Sequence, residues 1–287
     1  MLLPIAYILV FAYYPMYGAQ IAFKKFNAAA GILGSPWVGL ENFFRFFRTY
    51  RGLEIVFNTI SISLYGLAVG FPIPIALAVM LNYTGNTAFK KFVQMVTYAP
   101  YFISVVVMCG MVLQFLAPRT GLLNNIRGLF GLEDLNFMGN PDWFSSIYVW
   151  SGVWQGMGWG AIIYISALAG VNPEMHESAI IDGASKLRRI WHIDLPTIQP
   201  IIAIQLILSA GGILNTGYEK ILLLQNSLNS RSSEVIQTLV YRTGIAAALI
   251  PDVSYSTAIG LMVSVINFII LIAVNQLVKK LGSTSLW

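Results

Sequence analysis

Apolar residues in this chain neither alternate nor keep to one helical stripe; they fill long runs separated by polar connections. A helix needs about twenty consecutive, mostly apolar residues to cross a bilayer. Six runs reach that length, at roughly 2–23, 55–81, 92–116, 144–170, 197–217 and 256–278. The pattern predicts an all-α integral membrane protein of six transmembrane helices, with residues 1–287 forming a single domain. The first run has neither the basic start nor the short apolar core of a signal peptide. It is read as a genuine span whose preceding tail is missing from the sequence.

The longer connections follow the first, third and fifth runs, near 24–54, 117–143 and 218–255, and the shorter ones fall near 82–91 and 171–196. An even number of crossings places both chain ends on the side of the shorter connections. Excess Lys and Arg mark the cytoplasmic side of short loops, but here the two sides are balanced. Lys24, Lys25, Arg45, Arg48 and Arg51 crowd the first long loop, while the shorter connections are richer per residue. Charge alone leaves the orientation open.

Composition agrees with the lipid reading. Of the 287 residues, 57% are hydrophobic and 10% charged, against about 25% charged in soluble domains. The net charge of +5 comes without a basic run or an RNA-binding signature, so nucleic acid is not an expected partner and membrane lipid is. The single cysteine, Cys109, excludes an intramolecular disulfide. His176 and His192 lie far from Cys109 in sequence, a poor metal-ligand set, and neither HExxH nor GxSxG occurs. No catalytic residue and no metal site is expected. The phosphate-cradling GxxxxGK[ST] loop is also absent, so ATP, if used, binds another chain.

Polar residues inside the runs are candidates for a pathway. In GVWQGMGWG, Gly152, Gly156 and Gly160 recur every four residues, which predicts a face where another backbone approaches closely. Trp154 and Gln155 stand beside that face. Gln205, Ser209, Gly212 and Thr216 fall on one helical face of the fifth run, and Ser256, Gly260, Ser264, Asn267 and Asn275 on one of the sixth. Amides at membrane depth seek a partner helix or a wet cavity. Interhelical hydrogen bonding is the ordinary reading for each alone, but two such stripes favour a polar pathway. Pro72, Pro74 and Pro100 are expected to interrupt their helices, which lipid tolerates only where protein or a wet cavity serves the freed carbonyls.

The connection at 171–196 carries HESAIIDGASKLRRIWHIDLP, with both histidines and six charged residues between apolar runs. Pro173 is placed to open a short helix over 173–182, Gly183 to end or bend it, and a second helix begins near Ala184; Pro196 fits a restart into the fifth run. Such a helix–Gly–helix unit either lies on lipid or docks a partner.

Glu177, Ala179, Gly183, Ala184, Ile193, Leu195 and Pro196 match E-A-A-x3-G-A-x8-I-x-L-P, the EAA signature of importer permeases of the ATP-binding cassette (ABC) class; Ser178 stands in place of the first alanine. Asp182 and Ser185 fit the common DGAS form. YYPMYGAQIAFKKFN, GILGSPWVGLENF, YAPYFISVVV and EVIQTLVYRTGI also resemble the oligosaccharide and polysaccharide branch of that class, which includes alginate-importer permeases. The resemblance implies a type I importer permease core, with 173–182 as a cytoplasmic coupling helix seated in a cleft of the ATPase. Glu177 would then meet a basic residue there, with Ser178, Ala179, Asp182, Gly183 and Ala184 shaping the element. It further implies a homologous second permease, two ATPase subunits holding ATP and Mg, and an extracytoplasmic solute-binding protein. The location implied is the bacterial cytoplasmic membrane, with both termini cytoplasmic. This chain would bind no cofactor and catalyse nothing. The pathway candidates are Trp154, Gln155, Gln205, Ser209, Thr216 and Asn267, with loops near 30–51 and 222–235 receiving the binding protein. The alternative is an ion-coupled carrier or channel without an ATPase partner.

Overall fold

A computed structural model describes residues 2–247, 251–280 and 286, so most of the C-terminal tail lies outside the described residues. Among the described residues the only β-pairing is an isolated bridge between Lys24 and Trp37, and the rest is helix and connection. Four helices among the described residues are long and apolar enough to cross a membrane: Leu2–Phe23, Gly52–Asn82, Lys186–Gly211 and Val253–Lys280. The pair Thr87–Phe102 and Val105–Phe115 is a fifth crossing if its two limbs form one span. The Pro141–Leu168 helix has 28 residues, about 42 Å at the α-helical rise, but Trp, Gly, Ser and Gln dilute its apolarity.

Several predicted runs are built differently from expectation. The run at 92–116 is not one straight helix: its limbs meet at 104°. Pro100 lacks an N–H to continue the ladder, the chain tightens into a 3₁₀ turn at Ala99–Phe102, and the Ser104 hydroxyl caps the next helix through Val107 N. Pro196 stands in the first turn of the α-helical segment Leu195–Gly211, as the restart predicts, but that segment continues an earlier one. The helix begins ten residues earlier, at Lys186, and takes a π turn over Ile190–Asp194 just before Leu195–Pro196. That helix stops at Gly211, with Gly212 as its C-cap, because two consecutive glycines offer little helical support. Thr216 therefore falls outside the helical face assigned to it. Pro72 and Pro74 behave as expected, opening the second segment of the Gly52–Asn82 helix. Each removes the N–H that would serve the carbonyl four residues back, at Ala68 and Gly70.

The chain divides into two compact units. The first comprises residues 1–60, 214–218 and 234–268. Here three of the basic residues that blurred the orientation rule, Lys24, Arg45 and Arg51, are engaged in structure. Lys24 is buried, donating to the Ile32 carbonyl at 2.7 Å with its ammonium 4.7 Å from the Trp37 ring centre. Arg45 pairs with Asp252 and lies over Tyr255. Asn42 clasps the chain after the first helix through the carbonyls of Ala22 and Lys24. Ile236 N donates to the buried Thr59 hydroxyl at 3.0 Å, and Arg242 pairs with Glu234 at 2.8 Å.

The second unit comprises residues 61–213, 219–233 and 269–287. One apolar cluster in it joins Ala78 and Val79 to Ala161, Tyr164 and Leu168, and then to Val171, Ile193 and Ile198. The glycines of the Pro141–Leu168 helix do not line one backbone-to-backbone seam. A Cβ at Gly160 would press on the Pro74 ring, one at Gly152 would meet the Lys220 ammonium, and one at Gly156 would meet nothing. The close backbone approach is at Gly158, where a Cβ would run into the Thr97 carbonyl. Thr97 belongs to the helix before the bend, whose position the apolar pattern does not reveal.

Candidate functional site

Two places in the second unit gather the candidate chemistry. The first is the connection after the Pro141–Leu168 helix. Asn172 caps the Pro173–Ile181 helix by accepting from Glu174 N at 3.1 Å, and Pro173 occupies its first turn, where a missing N–H costs nothing. Gly183 has φ +75°, Gly183 N donates to Ile180 O, and Ala184 N to Ala179 O. That pair of bonds is the Schellman ending, which needs a left-handed residue at this position. Ser185 then caps the following helix through Arg188 N. Gly-Ala-Ser is thus one stop and one start in three residues. Ser178, the departure from the signature, gives its hydroxyl to the Glu174 carbonyl at 2.6 Å and so remains satisfied.

No residue of the Pro173–Ile181 helix is buried. Glu177, Ser178, Asp182 and Gly183 are exposed, with Met175, Ile180 and the 86% exposed Ile181 beside them. Ala179 turns the other way and packs, with Leu195, on the cluster that holds Ile193. The signature residues therefore divide into an outward acid and inward anchors. Ala179, Asp182, Ala184, Arg188 and His192 border a cavity of about 420 Å³.

Behind the helix lies a polar group that the sequence reading did not single out. Asp194 is fully buried; its Oδ2 accepts from the Tyr83 hydroxyl at 2.6 Å, and its Oδ1 lies 3.2 Å from His176 Nε2. The Arg189 guanidinium sits over the Tyr83 ring at 5.5 Å. Burial, then the bond to Asp194, raises the Tyr83 hydroxyl to about 12, so it stays protonated and donates. The available signal was a lone carboxylate in the apolar frame IWHIDLP.

The second place is a cavity of about 550 Å³ whose wall includes Ser63, Gly70, Pro74, Trp159, Gln205 and Ser209. Gly70, whose carbonyl loses its helical donor to Pro74, is thus at the wall, where a polar ligand or water can serve it. Gln205 and Ser209 are brought together there as one face of the Lys186–Gly211 helix. Trp159, rather than Trp154, supplies the indole; it stacks on Tyr101 with centres 4.5 Å apart and planes 4° from parallel. The spacing of GVWQGMGWG holds both tryptophans, and only the helix's rotation against Pro74 separates them.

The other candidates lie elsewhere. Trp154 is 41% exposed and is not part of that wall. Gln155 donates to the Ile103 carbonyl at 2.8 Å, serving backbone freed at the bend, and faces a second cavity of about 460 Å³. In the first unit, Thr216 is buried, and its hydroxyl has no hydrogen-bond partner among the described residues. Asn267, in that unit too, accepts from Leu214 N at 3.2 Å and donates to Asn215 at 3.3 Å, an interaction that ties down the chain after the preceding helix. Among the described residues no group of His, Cys, Asp and Glu is arranged to hold a metal.

Comparisons with known proteins identify the family. The family model described as "Binding-protein-dependent transport system inner membrane component" matches residues 70–283. The polygalacturonan/rhamnogalacturonan transport system permease protein YteP of Bacillus subtilis (strain 168) is 39% identical over 281 residues, covering 98% of this chain and 87% of that one. Protein LplB of the same organism is 36% identical over the same shares. Among solved structures, a bacterial alginate ABC transporter in complex with an alginate pentasaccharide-bound periplasmic protein has a chain that superposes with a TM-score of 0.91. Its sequence identity is 36%, covering 100% of this chain and 95% of that one. A second structure, of a bacterial ABC transporter involved in the import of the acidic polysaccharide alginate, superposes with a TM-score of 0.89 at 37% identity, covering 98% and 94%. The chain belongs to the family of binding-protein-dependent transport system inner membrane components: it is the non-catalytic, multi-pass permease subunit of an ABC importer.

Proposed function

We propose that this permease imports an acidic oligo- or polysaccharide, with Pro173–Ile181 as the element through which a separate ATPase drives it. The observation that carries the coupling role is the outward Glu177 on a helix with no buried residue, fixed from behind by Ala179 and His176. A partner pressing on that face would move the helix as a body. The cluster of Ala179, Ile193, Leu168 and Ala78 would pass the displacement to Pro72–Asn82 and Pro141–Leu168, two helices that line the cavity. In this reading there are six crossings, the bent pair and Pro141–Leu168 included, with both ends and the coupling helix cytoplasmic. A second permease, two ATPase subunits with ATP and Mg, and a solute-binding protein complete the assembly; the loops near 30–51 and 222–235 receive the last of these. The permease makes no covalent bond. It biases inward- and outward-facing populations through the contacts it offers each state.

The saccharide class is supported by the relatives and by the cavity itself: an indole face for a sugar ring, with Gln205, Ser209 and Ser63 for hydroxyls. Trp154, Thr216 and Asn267 are no longer assigned to cargo. The test is Glu177→Lys in the reconstituted importer. Saccharide uptake should fall on the order of tenfold or more while the ATPase keeps turning over, as expected when a buried charged contact is reversed. Unchanged uptake would sink the coupling role. Purification of an active carrier without any nucleotide-binding partner would favour the ion-coupled alternative.

A further inference from the structure

A lysine that the pathway reading passes over sits beside the sugar cavity. Lys220, on the short Tyr218–Leu224 helix, is only 9% exposed. Its ammonium donates to the backbone carbonyl of Tyr148 at 2.6 Å and lies 4.5 Å from the centre of that residue's ring. Gly152, one turn along the same helix, makes room for it: a Cβ there would stand 3.0 Å from Lys220 Nζ. An ammonium has three hydrogens to donate. The Tyr148 carbonyl takes one, and Lys220 forms no ion pair among the described residues. The other titratable groups beside it are the Cys109 thiol and the Tyr148 phenol. Burial lowers the Lys220 ammonium to about 8.

A buried cation without a counter-ion is costly to keep, and a neutral side chain would pack against Tyr148 at no such cost. Lys220 also borders space. It lines the cavity of about 460 Å³ together with Gln155, Gly152 and Gly156. That cavity shares Gly66, Gly70, Pro74 and Gly160 with the wall of the sugar cavity, so the two are contiguous. We propose that Lys220 is the residue that recognises cargo charge: a uronate unit in the glycine-walled space places its carboxylate on the Lys220 ammonium. The pairing supplies the counter-ion that the protein lacks there and makes an acid sugar preferred over its neutral counterpart. The inference rests on the reading of the chain as a saccharide permease and assigns that reading a specificity determinant.

The test uses the full importer with its binding protein in proteoliposomes supplied with ATP. The cargoes are an oligogalacturonate and the same oligomer fully methyl-esterified, which keeps the size and removes the charge. The quantity read is the ratio of kcat/KM for acid over ester. Lys220→Gln should reduce that ratio on the order of tenfold, the scale of one charge-assisted hydrogen bond, and Lys220→Arg should restore most of it. If Lys220→Gln keeps the wild-type ratio, the inference fails while the permease reading stands. It fails equally if Lys220→Gln and Lys220→Arg both lose the two cargoes in parallel, since Lys220 is then a packing element. A wild-type complex that moves neither cargo would bring down the acidic-saccharide reading, and the inference with it.

Discussion

His176 Nε2 lies 3.2 Å from Asp194 Oδ1. The histidine rides on a helix with no buried residue, and the aspartate is fully buried in the π turn that precedes Leu195–Pro196. One contact thus joins the outermost element of the connection to the root of a long apolar helix, and Tyr83 OH closes the group from the end of another. Removing the carboxylate should therefore act on both stability and coupling. Asp194→Ala strands two polar groups and is expected to cost about 2–3 kcal/mol, read as a lower melting temperature of the detergent-solubilised complex. Asp194→Asn, which keeps the shape and an acceptor, should lose less. Equal melting of Asp194→Ala and wild type would remove the anchor from the account.

The Tyr83 hydroxyl has a signature in pH. Its folded-state value is raised to about 12 from 10.0, so the folded protein holds that proton more tightly than the unfolded chain. Its stabilisation is complete below pH 10 and is lost as pH climbs from 10 toward 12. The stability difference between wild type and Tyr83→Phe should be constant through neutral pH and shrink across that alkaline window. A difference that is flat to pH 12 would show that the hydroxyl does not depend on the proton it donates.

Gly183 ends its helix at φ +75° with open space where a Cβ would go. Substitution there is a pure backbone test. Gly183→Ala is expected to cost about 1–2 kcal/mol for a left-handed residue, and Gly183→Asn clearly less. Because the Schellman ending sets the angle between the exposed helix and the next, sugar moved per ATP should fall in Gly183→Ala and recover in Gly183→Asn. If alanine and asparagine give the same coupling ratio, the angle is not what transmits force.

Gln205 and Asn267 were equal candidates in sequence and are unequal in structure. Gln205→Leu changes the wall of the cavity, and uptake should fall severalfold with little change in melting temperature. Asn267→Leu removes the acceptor for Leu214 N and should lower stability by about 1–3 kcal/mol, the cost of an orphaned buried donor. The reverse pattern would exchange their roles.

What could be read ahead of the structure follows a physical division. Features set by local backbone chemistry were legible: Pro173 opening a helix, Gly183 closing it, Pro72 and Pro74 opening a segment, Pro100 breaking one. Features set by how a helix is rotated against its neighbours were not. Gly152, Gly156 and Gly160 share a stripe, yet one seats a lysine, one faces open space and one presses on a proline ring, while Gly158 makes the backbone contact. Trp159 and Trp154 differ for the same reason. Thr216 was lost because a helix assumed to run to 217 ends at Gly211. Asp194 occupies the unspecified position in I-x-L-P, and Lys220 lies just past a predicted span, where a single charge looks like ordinary solvated loop.

The Pro141–Leu168 helix has one more consequence, for how the chain is made. It borders both cavities, and the glycines, glutamine and tryptophans that shape those walls keep it off the list of helices apolar enough to cross alone. A segment like that partitions poorly from the translocon into lipid by itself. As a crossing, it would lean on the Gly52–Asn82 helix, made earlier, whose Pro74 it presses on and whose Ala78 shares its apolar cluster. In the proposed six-span arrangement, the composition that shapes the cavity walls would thus make this helix a late and assisted arrival in the membrane.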